Sequence, residues 1–313
     1  MYDLIIIGGG PAGITAGIYA ARQKLNILLI TKEFGGQIAK KAVAIENYPG
    51  FEKISGMELI QKFEKQLRKQ KIDIERDGVI KVKKIGDHFL VITKSKNRFE
   101  SKAVIVASGA DPRALKVEGE KKFLGKGLSY CVTCDGPLFE GKNVAIIGGG
   151  NSAFEAALFL AKIAKKIYIL EYGKEVKADF ENQEKVKKTG KVEIITQAAV
   201  KEIKGEKFVN SLTYEDRVRG QEITLEVEGV FVEIGNQPAT SFIKDLVDFN
   251  ERDEIIIDLA TCQTKTPGLF AAGDVTQIFP KQIVVAAGEG VKAVVNAFKY
   301  INGLKTQEKK TKN

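Results

Sequence analysis

Cys131 and Cys134 stand in the stretch Cys131-Val-Thr-Cys134-Asp135-Gly136. A C-x-x-C pair serves either thiol–disulfide exchange or half of a zinc site. Zinc would need two further Cys or His ligands, and only Cys262 and His88 remain, on unrelated segments. No metal site is expected. Disulfide exchange needs an attacking thiolate and a proton for the leaving sulfur. The single histidine lies in a hairpin-like stretch, residues 81–93, so the adjacent Asp135 is the candidate acid–base group. The same scarcity excludes a Ser-His-Asp triad and a Cys-His nucleophile pair. Cys262, in the strand-like residues 255–264, reads as an inert core or edge residue.

A dithiol needs a source of electrons, and one local pattern occurs twice. Residues 3–13 run from an apolar stretch into Gly8, Gly10 and Gly13, followed by an alanine-rich helical segment to residue 22. Residues 143–153 repeat this with Gly148, Gly150, Asn151, Ser152 and Ala153, leading into a helical segment over 154–165. Strand, glycine turn and helix start together form the context in which G-x-G-x-x-G/A binds a dinucleotide. The first glycine permits the tight turn, the second lets backbone amides reach a pyrophosphate, and the third small residue lets helix pack on strand. The pyrophosphate then rests on the positive end of the helix. Two such sites in one chain point to a flavin and a nicotinamide. Near the C-terminus an apolar strand ends in Gly273-Asp274, and residues 282–290 lead into a helix. Asp274 is placed either to accept a ribityl hydroxyl or to cap that helix.

These elements predict an α/β fold of two Rossmann-like, three-layer nucleotide-binding domains. The FAD domain is discontinuous, residues 1–114 and 247–313, and the NAD(P) domain with the redox pair, residues 115–246, is inserted in it. A chain of 313 residues is long enough for two cores. The run Leu4–Ile7 is too short for the apolar core of a signal peptide, and no stretch has the length of a membrane span. A cytoplasmic protein with no membrane partner is expected. The net charge of +9 comes from 49 basic residues scattered among 40 acidic ones. That scatter argues against nucleic acid, which would gather basic residues on one face, and leaves room for an acidic protein partner.

Gly8–Gly13, Gly35-Gly36-Gln37, Glu46-Asn47-Tyr48-Pro49-Gly50, Ala107-Ser-Gly109-Ala110, the C-x-x-C-D-G element, Gly148–Ala153 and Gly273-Asp274 occur in this order. Together they resemble the low-molecular-weight thioredoxin reductases over essentially the whole chain. The resemblance implies a homodimer in which FAD passes electrons from a nicotinamide to a Cys131–Cys134 disulfide. It implies that Cys134 faces the flavin and that Cys131 attacks the partner's disulfide, with Asp135 as acid–base group. Gly35, Gly36, Gln37, Asn47, Gly109 and Lys281-Gln282-Ile283 would then lie along the FAD. The acceptor would be a thioredoxin, a glutaredoxin-like protein or a tandem thioredoxin-fold protein.

After the second strand of the nicotinamide domain, NADPH-type members carry an arginine-rich element. Here residues 169–179 lack those arginines, and Glu171 stands about twenty residues past the glycine motif, where an acid accepts from a free ribose 2′-OH. NADH is the expected donor, ahead of NADPH. The stretch is similar to the flavoprotein of bacterial alkyl hydroperoxide reductase, which has an additional N-terminal domain with its own C-x-x-C. This chain starts at the first nucleotide-binding strand, so a separate dithiol carrier is expected. Missing arginines also fit a ferredoxin-driven relative, although the intact Gly148–Ala153 turn argues against it. A flavin NADH oxidase or a redox sensor is the remaining alternative; the first leaves Cys131–Cys134 without a purpose and the second leaves the second glycine turn unexplained.

Overall fold

The computed structural model describes residues 1–41, 45 and 47–311, and their side chains except at 40, 41, 133, 134 and 305–311. The chain divides into two compact units, Met1–Asp111 with Gln237–Asn313, and Pro112–Asn236.

The first unit is built on the strand Tyr2–Gly9, whose apolar run suits a position covered on both faces. It lies parallel between Ile27–Phe34 and Arg98–Val106, with Ile5 opposite Leu28 on one side and Val104 on the other. Asp73–Glu75 extends the parallel sheet beyond Ile27–Phe34, and Leu269–Ala271 extends it beyond the second half of Arg98–Val106. The first half of Arg98–Val106 continues antiparallel into His88–Thr93 and Val79–Ile85, the hairpin that holds His88. Helices Pro11–Arg22 and Ile283–Thr311 pack closely: a Cβ on Gly290 would lie 2.2 Å from the carbonyl oxygen of Ala12. Helix Gly56–Leu67 begins with a capping box, in which Ser55 Oγ accepts from the Glu58 amide at 3.3 Å and the Glu58 carboxylate accepts from the Ser55 amide at 3.2 Å.

Sequence patterning puts the return to this unit near Val247, whereas the unit already takes in Gln237. The Phe242 carbonyl accepts from the Val82 amide at 3.0 Å, and Ile243 and Val247 are buried in the first core. Residues 255–264 are not a continuous strand. Asp258 Oδ1 accepts from the amides of Ala260 (3.0 Å) and Thr261 (2.8 Å), which turns the chain and leaves only isolated bridges such as Ile255 with Thr276. Cys262 follows that turn with a φ of 61° and is fully buried, its Sγ 3.3 Å from Glu289 Oε2. Burial and the Glu289 charge push its thiol up, which keeps it protonated and unreactive.

The second unit holds a parallel sheet of five strands, in the order Val192–Ile195, Lys166–Leu170, Asn143–Ile147, Gly229–Val232, Leu128–Ser129. Helices Asn151–Leu160 and Phe180–Lys188 belong to this sheet's crossovers, and an antiparallel sheet of Ala198–Gly205, Val209–Asp216 and Gln221–Glu226 is attached. The core divides between Phe154, Leu160 and Ile167 on one side and Leu170, Leu212 and Val230 on the other. No helix among the described residues is long and apolar enough to cross a membrane.

Candidate redox and nucleotide sites

Parallel pairing puts the carboxyl ends of all five strands in the second unit at one edge, where open α/β sheets bind ligands. Ser129 is in register with Phe231, Phe231 with Ile146, and Ile146 with Ile169. Two residues further along each strand path come Cys131, Gly148 and Glu171. The redox segment, the glycine turn and the acidic strand end therefore leave the sheet at one level. Two strand spacings, about 10 Å, separate the strand before Cys131 from the strand before Gly148.

Cys131 is disulfide-bonded, whereas Cys262 is free. The Cys131 amide donates to Ser129 Oγ at 2.9 Å, and its carbonyl accepts from the Asp135 amide at 3.1 Å, closing the single turn Val132–Asp135. Asp135 is half-buried at the end of that turn. The backbone of Cys134 lies within it, and the Cys134 side chain is outside the described residues. Tyr130, just before Cys131, donates its hydroxyl to the buried Glu120 carboxylate, which also accepts from the amides of Leu115 (2.6 Å) and Lys116 (2.8 Å).

The second glycine turn has the form a pyrophosphate requires. Gly148 has a φ of 120°, and a Cβ there would lie 2.3 Å from the Glu233 carbonyl oxygen. Gly150 is the N-cap of helix Asn151–Leu160 with no side-chain cap, and a Cβ on it would meet nothing within 4 Å. Space and uncapped helix amides coincide there. Ser152 is exposed in the first turn and Ala153 fully buried beneath it. Asn151 turns its side chain to Asp179, donating to Oδ2 at 2.7 Å and accepting from the Asp179 amide at 2.7 Å. That contact braces the turn, so the part of Asn151 left for a ligand is its backbone. Glu171 packs on the turn itself: its Oε2 is 2.6 Å from where a Gly149 Cβ would be, and its Oε1 accepts from the Gly173 amide at 2.6 Å.

The first unit repeats this cradle. Gly8 has a φ of 119°, and Gly10 is an uncapped N-cap with nothing within 4 Å of a Cβ. A Cβ on Gly13 would lie 1.9 Å from the Gly8 carbonyl oxygen. The Gly35 amide donates to the Gly9 carbonyl at 2.7 Å, which sets Gly35-Gly36-Gln37 against the turn. Gly36 and Gly109 both have positive φ with open space beside them, 52° and 66°. Gln37 Nε2 donates to the Ala110 carbonyl. Asn47 Nδ2 donates to Gln282 Oε1 at 3.1 Å, so two expected flavin-side residues 235 positions apart are brought together. Gln282 immediately precedes Ile283, the first residue of the last helix.

Gly273 has a φ of 79° and carries Asp274 towards that helix. Burial pushes the Asp274 carboxyl up, against the pull of Lys281. A desolvated carboxylate at this point suits a ligand hydroxyl. Lys281 is committed elsewhere: its Nζ is 2.8 Å from Glu254 Oε1 and also donates to the Thr276 carbonyl. It holds the Asp274 loop in shape, a role sequence reasoning does not reveal because Glu254 is in an irregular segment. An open glycine cradle, a half-buried carboxylate and a polar Asn47–Gln282 pair fit a flavin dinucleotide. The cradle with Glu171 fits a nicotinamide dinucleotide.

The F component of Staphylococcus aureus alkyl hydroperoxide reductase is 41% identical over 302 residues, 96% of this chain and 59% of that protein. The chain thus spans 59% of the length of this curated relative. The crystal structure of Lactococcus lactis thioredoxin reductase superposes with a TM-score of 0.91 at 35% identity, covering 97% of this chain and 100% of the other. Thioredoxin reductase of T. acidophilum superposes with a TM-score of 0.88 at 37% identity, covering 97% and 99%. The α/β fold of the thioredoxin reductases is therefore the fold of this chain. Residues 2–290 match the family described as Pyridine nucleotide-disulphide oxidoreductase, which implies FAD and a nicotinamide nucleotide as cofactors. With that match over most of its length, the chain belongs to the pyridine nucleotide-disulphide oxidoreductase family.

Proposed function

We propose that the protein is a thioredoxin reductase-like flavoenzyme that carries electrons from NADH to a thioredoxin or glutaredoxin-like dithiol protein. The observation that supports this best is the shared sheet edge of the second unit, where disulfide-bonded Cys131 and a glycine turn covered by Glu171 leave the strands at one level. FAD, when bound, relays the two electrons between nicotinamide and disulfide. Around it, Gly10 and Gly150 present uncapped helix ends to the two pyrophosphates. Glu171 accepts from an unmodified ribose and repels a 2′-phosphate. Cys131, once reduced, attacks the acceptor disulfide as a thiolate and releases one acceptor thiol; Cys134 then attacks the Cys131 sulfur, which releases the second acceptor thiol and re-forms the Cys131–Cys134 disulfide. Asp135 holds the proton that the leaving sulfur takes up. The sum is NADH, a proton and an acceptor disulfide giving NAD+ and an acceptor dithiol. The solved thioredoxin reductases support a thioredoxin-fold acceptor.

The test is NADH oxidation by the flavin-loaded protein with a thioredoxin and, separately, a glutaredoxin as acceptor, counting thiols formed. One acceptor dithiol per NADH is expected, with thiol formation falling to background in Cys131→Ser. Full NADH oxidation by Cys131→Ser, consuming oxygen and forming no thiol, would instead make the protein an oxidase.

A further inference from the structure

Tyr172 immediately follows Glu171 and keeps 62% of its surface exposed, an unusual position for a large aromatic side chain. One face of its ring is occupied: the Arg217 guanidinium carbon lies 4.0 Å from the ring centroid. Arg217 Nη1 also donates to the Tyr172 carbonyl at 3.0 Å, so the stack is pinned at both ends. Its backbone is fixed as well, because the Arg217 amide donates to the Gln197 carbonyl at 2.9 Å and the Gln197 amide to the Gly173 carbonyl at 2.8 Å. The far end of the same loop is tied to the glycine turn, where the amides of Lys177 (2.7 Å) and Ala178 (3.0 Å) donate to the Gly149 carbonyl. An exposed ring, rigidly backed by a cation and set beside Glu171, is a stacking surface that is left largely uncovered by the described residues.

We propose that Tyr172, backed by Arg217, is the platform on which the adenine of the nicotinamide nucleotide stacks. This rests on the reading of the second unit as the nicotinamide site. The order of groups along the ligand matches the order along the protein. Pyrophosphate belongs at Gly150, ribose at Glu171, and the base next to the ribose at Tyr172. A purine has no charge for Glu171 to repel, and its π-face suits a ring whose other side is held by a guanidinium. Arg217 acts as a positioning residue, fixing the ring so that stacking needs no further ordering.

Equilibrium titration of the flavin-loaded protein with 5′-AMP and with NAD+ tests this, together with the steady-state KM for NADH. Tyr172→Ala is expected to weaken AMP and NAD+ alike by about tenfold, within the range that base–aromatic stacking supplies. The KM for NADH should rise by the same factor with little change in kcat, and Tyr172→Phe should restore both. If the wild-type protein binds AMP and Tyr172→Ala binds it equally well, the platform is overturned while the nicotinamide reading stands. Should the wild type bind neither AMP nor NAD+ and show no turnover with NADH, both fall. A loss confined to NADPH in Arg217→Ala would assign the guanidinium to a 2′-phosphate and also overturn the platform.

Discussion

The two glycine turns, residues 8–13 and 148–153, begin alike and then diverge. Gly8 and Gly148 have φ of 119° and 120°, and Gly10 and Gly150 are both extended, uncapped N-caps. At the third small residue of the pattern, Gly13 has no room for a Cβ, whereas Ala153 carries one and is fully buried. Beside each turn, the neighbouring strand supplies one residue past the register pairs Ile7–Ile30 and Ile147–Leu170. In the first unit this is Thr31, whose hydroxyl is satisfied by the Glu33 carbonyl at 2.6 Å. In the second it is the Glu171 carboxylate. In the function proposed above, the turn holds a pyrophosphate and the strand-end residue selects the nucleotide that follows it.

The largest expected break in this comparison is Gly13→Ala. Its Cβ would have to displace the Gly8 carbonyl, a strain of about 1–3 kcal/mol or more. Flavin content on purification and the melting temperature should both drop. Glu171→Gln comes next: losing hydrogen bonds to a charged group should weaken NADH about tenfold or more while narrowing the gap to NADPH, read as KM for each nucleotide. Ala153→Gly, the reverse exchange at the matching position, should cost only about 1 kcal/mol and leave flavin content unchanged. The smallest effect is an acid sensitivity of the second unit. Burial opposes ionisation of Glu120, but hydrogen bonds from Tyr130, Leu115 and Lys116 outweigh it, so its folded value lies below the ordinary one. Its stabilisation is complete above the unfolded carboxylate value of about 4.3 and fades as pH falls through the lower folded value. Melts of Glu120→Gln and wild type should therefore converge as the pH falls through that window.

Much of the fold was legible because its signals are local. Apolar runs at Leu4–Ile7 and 144–147, each ending in a glycine turn, read directly as buried parallel strands. The C-x-x-C segment was equally plain, since Cys262 and His88, the remaining cysteine and histidine, lie on unrelated segments. What escaped depends on contacts distant in sequence. Residues 237–247 join the first unit through Val82 and its core, not through any pattern of their own. The last helix starts at Ile283, before its periodic part near Val291, because it is the approach of Gly290 to Ala12 that fixes its first turns. Arg217 stacks on Tyr172 from 45 residues away, so a search of residues 169–179 for basic groups does not find it. Lys281 and Asn151 sit where the motifs put them, but their side chains are turned to Glu254 and Asp179.

The central claim is that the second unit is a nicotinamide site that selects an unphosphorylated ribose. Anaerobic stopped-flow bleaching of the flavin-loaded protein by NADH and by NADPH tests it most directly. Rapid bleaching by NADH and much slower bleaching by NADPH is the predicted result, with the difference reduced in Glu171→Gln. No bleaching by either nucleotide, with bleaching by reduced ferredoxin or dithionite, would contradict the claim and assign the electrons to a different donor.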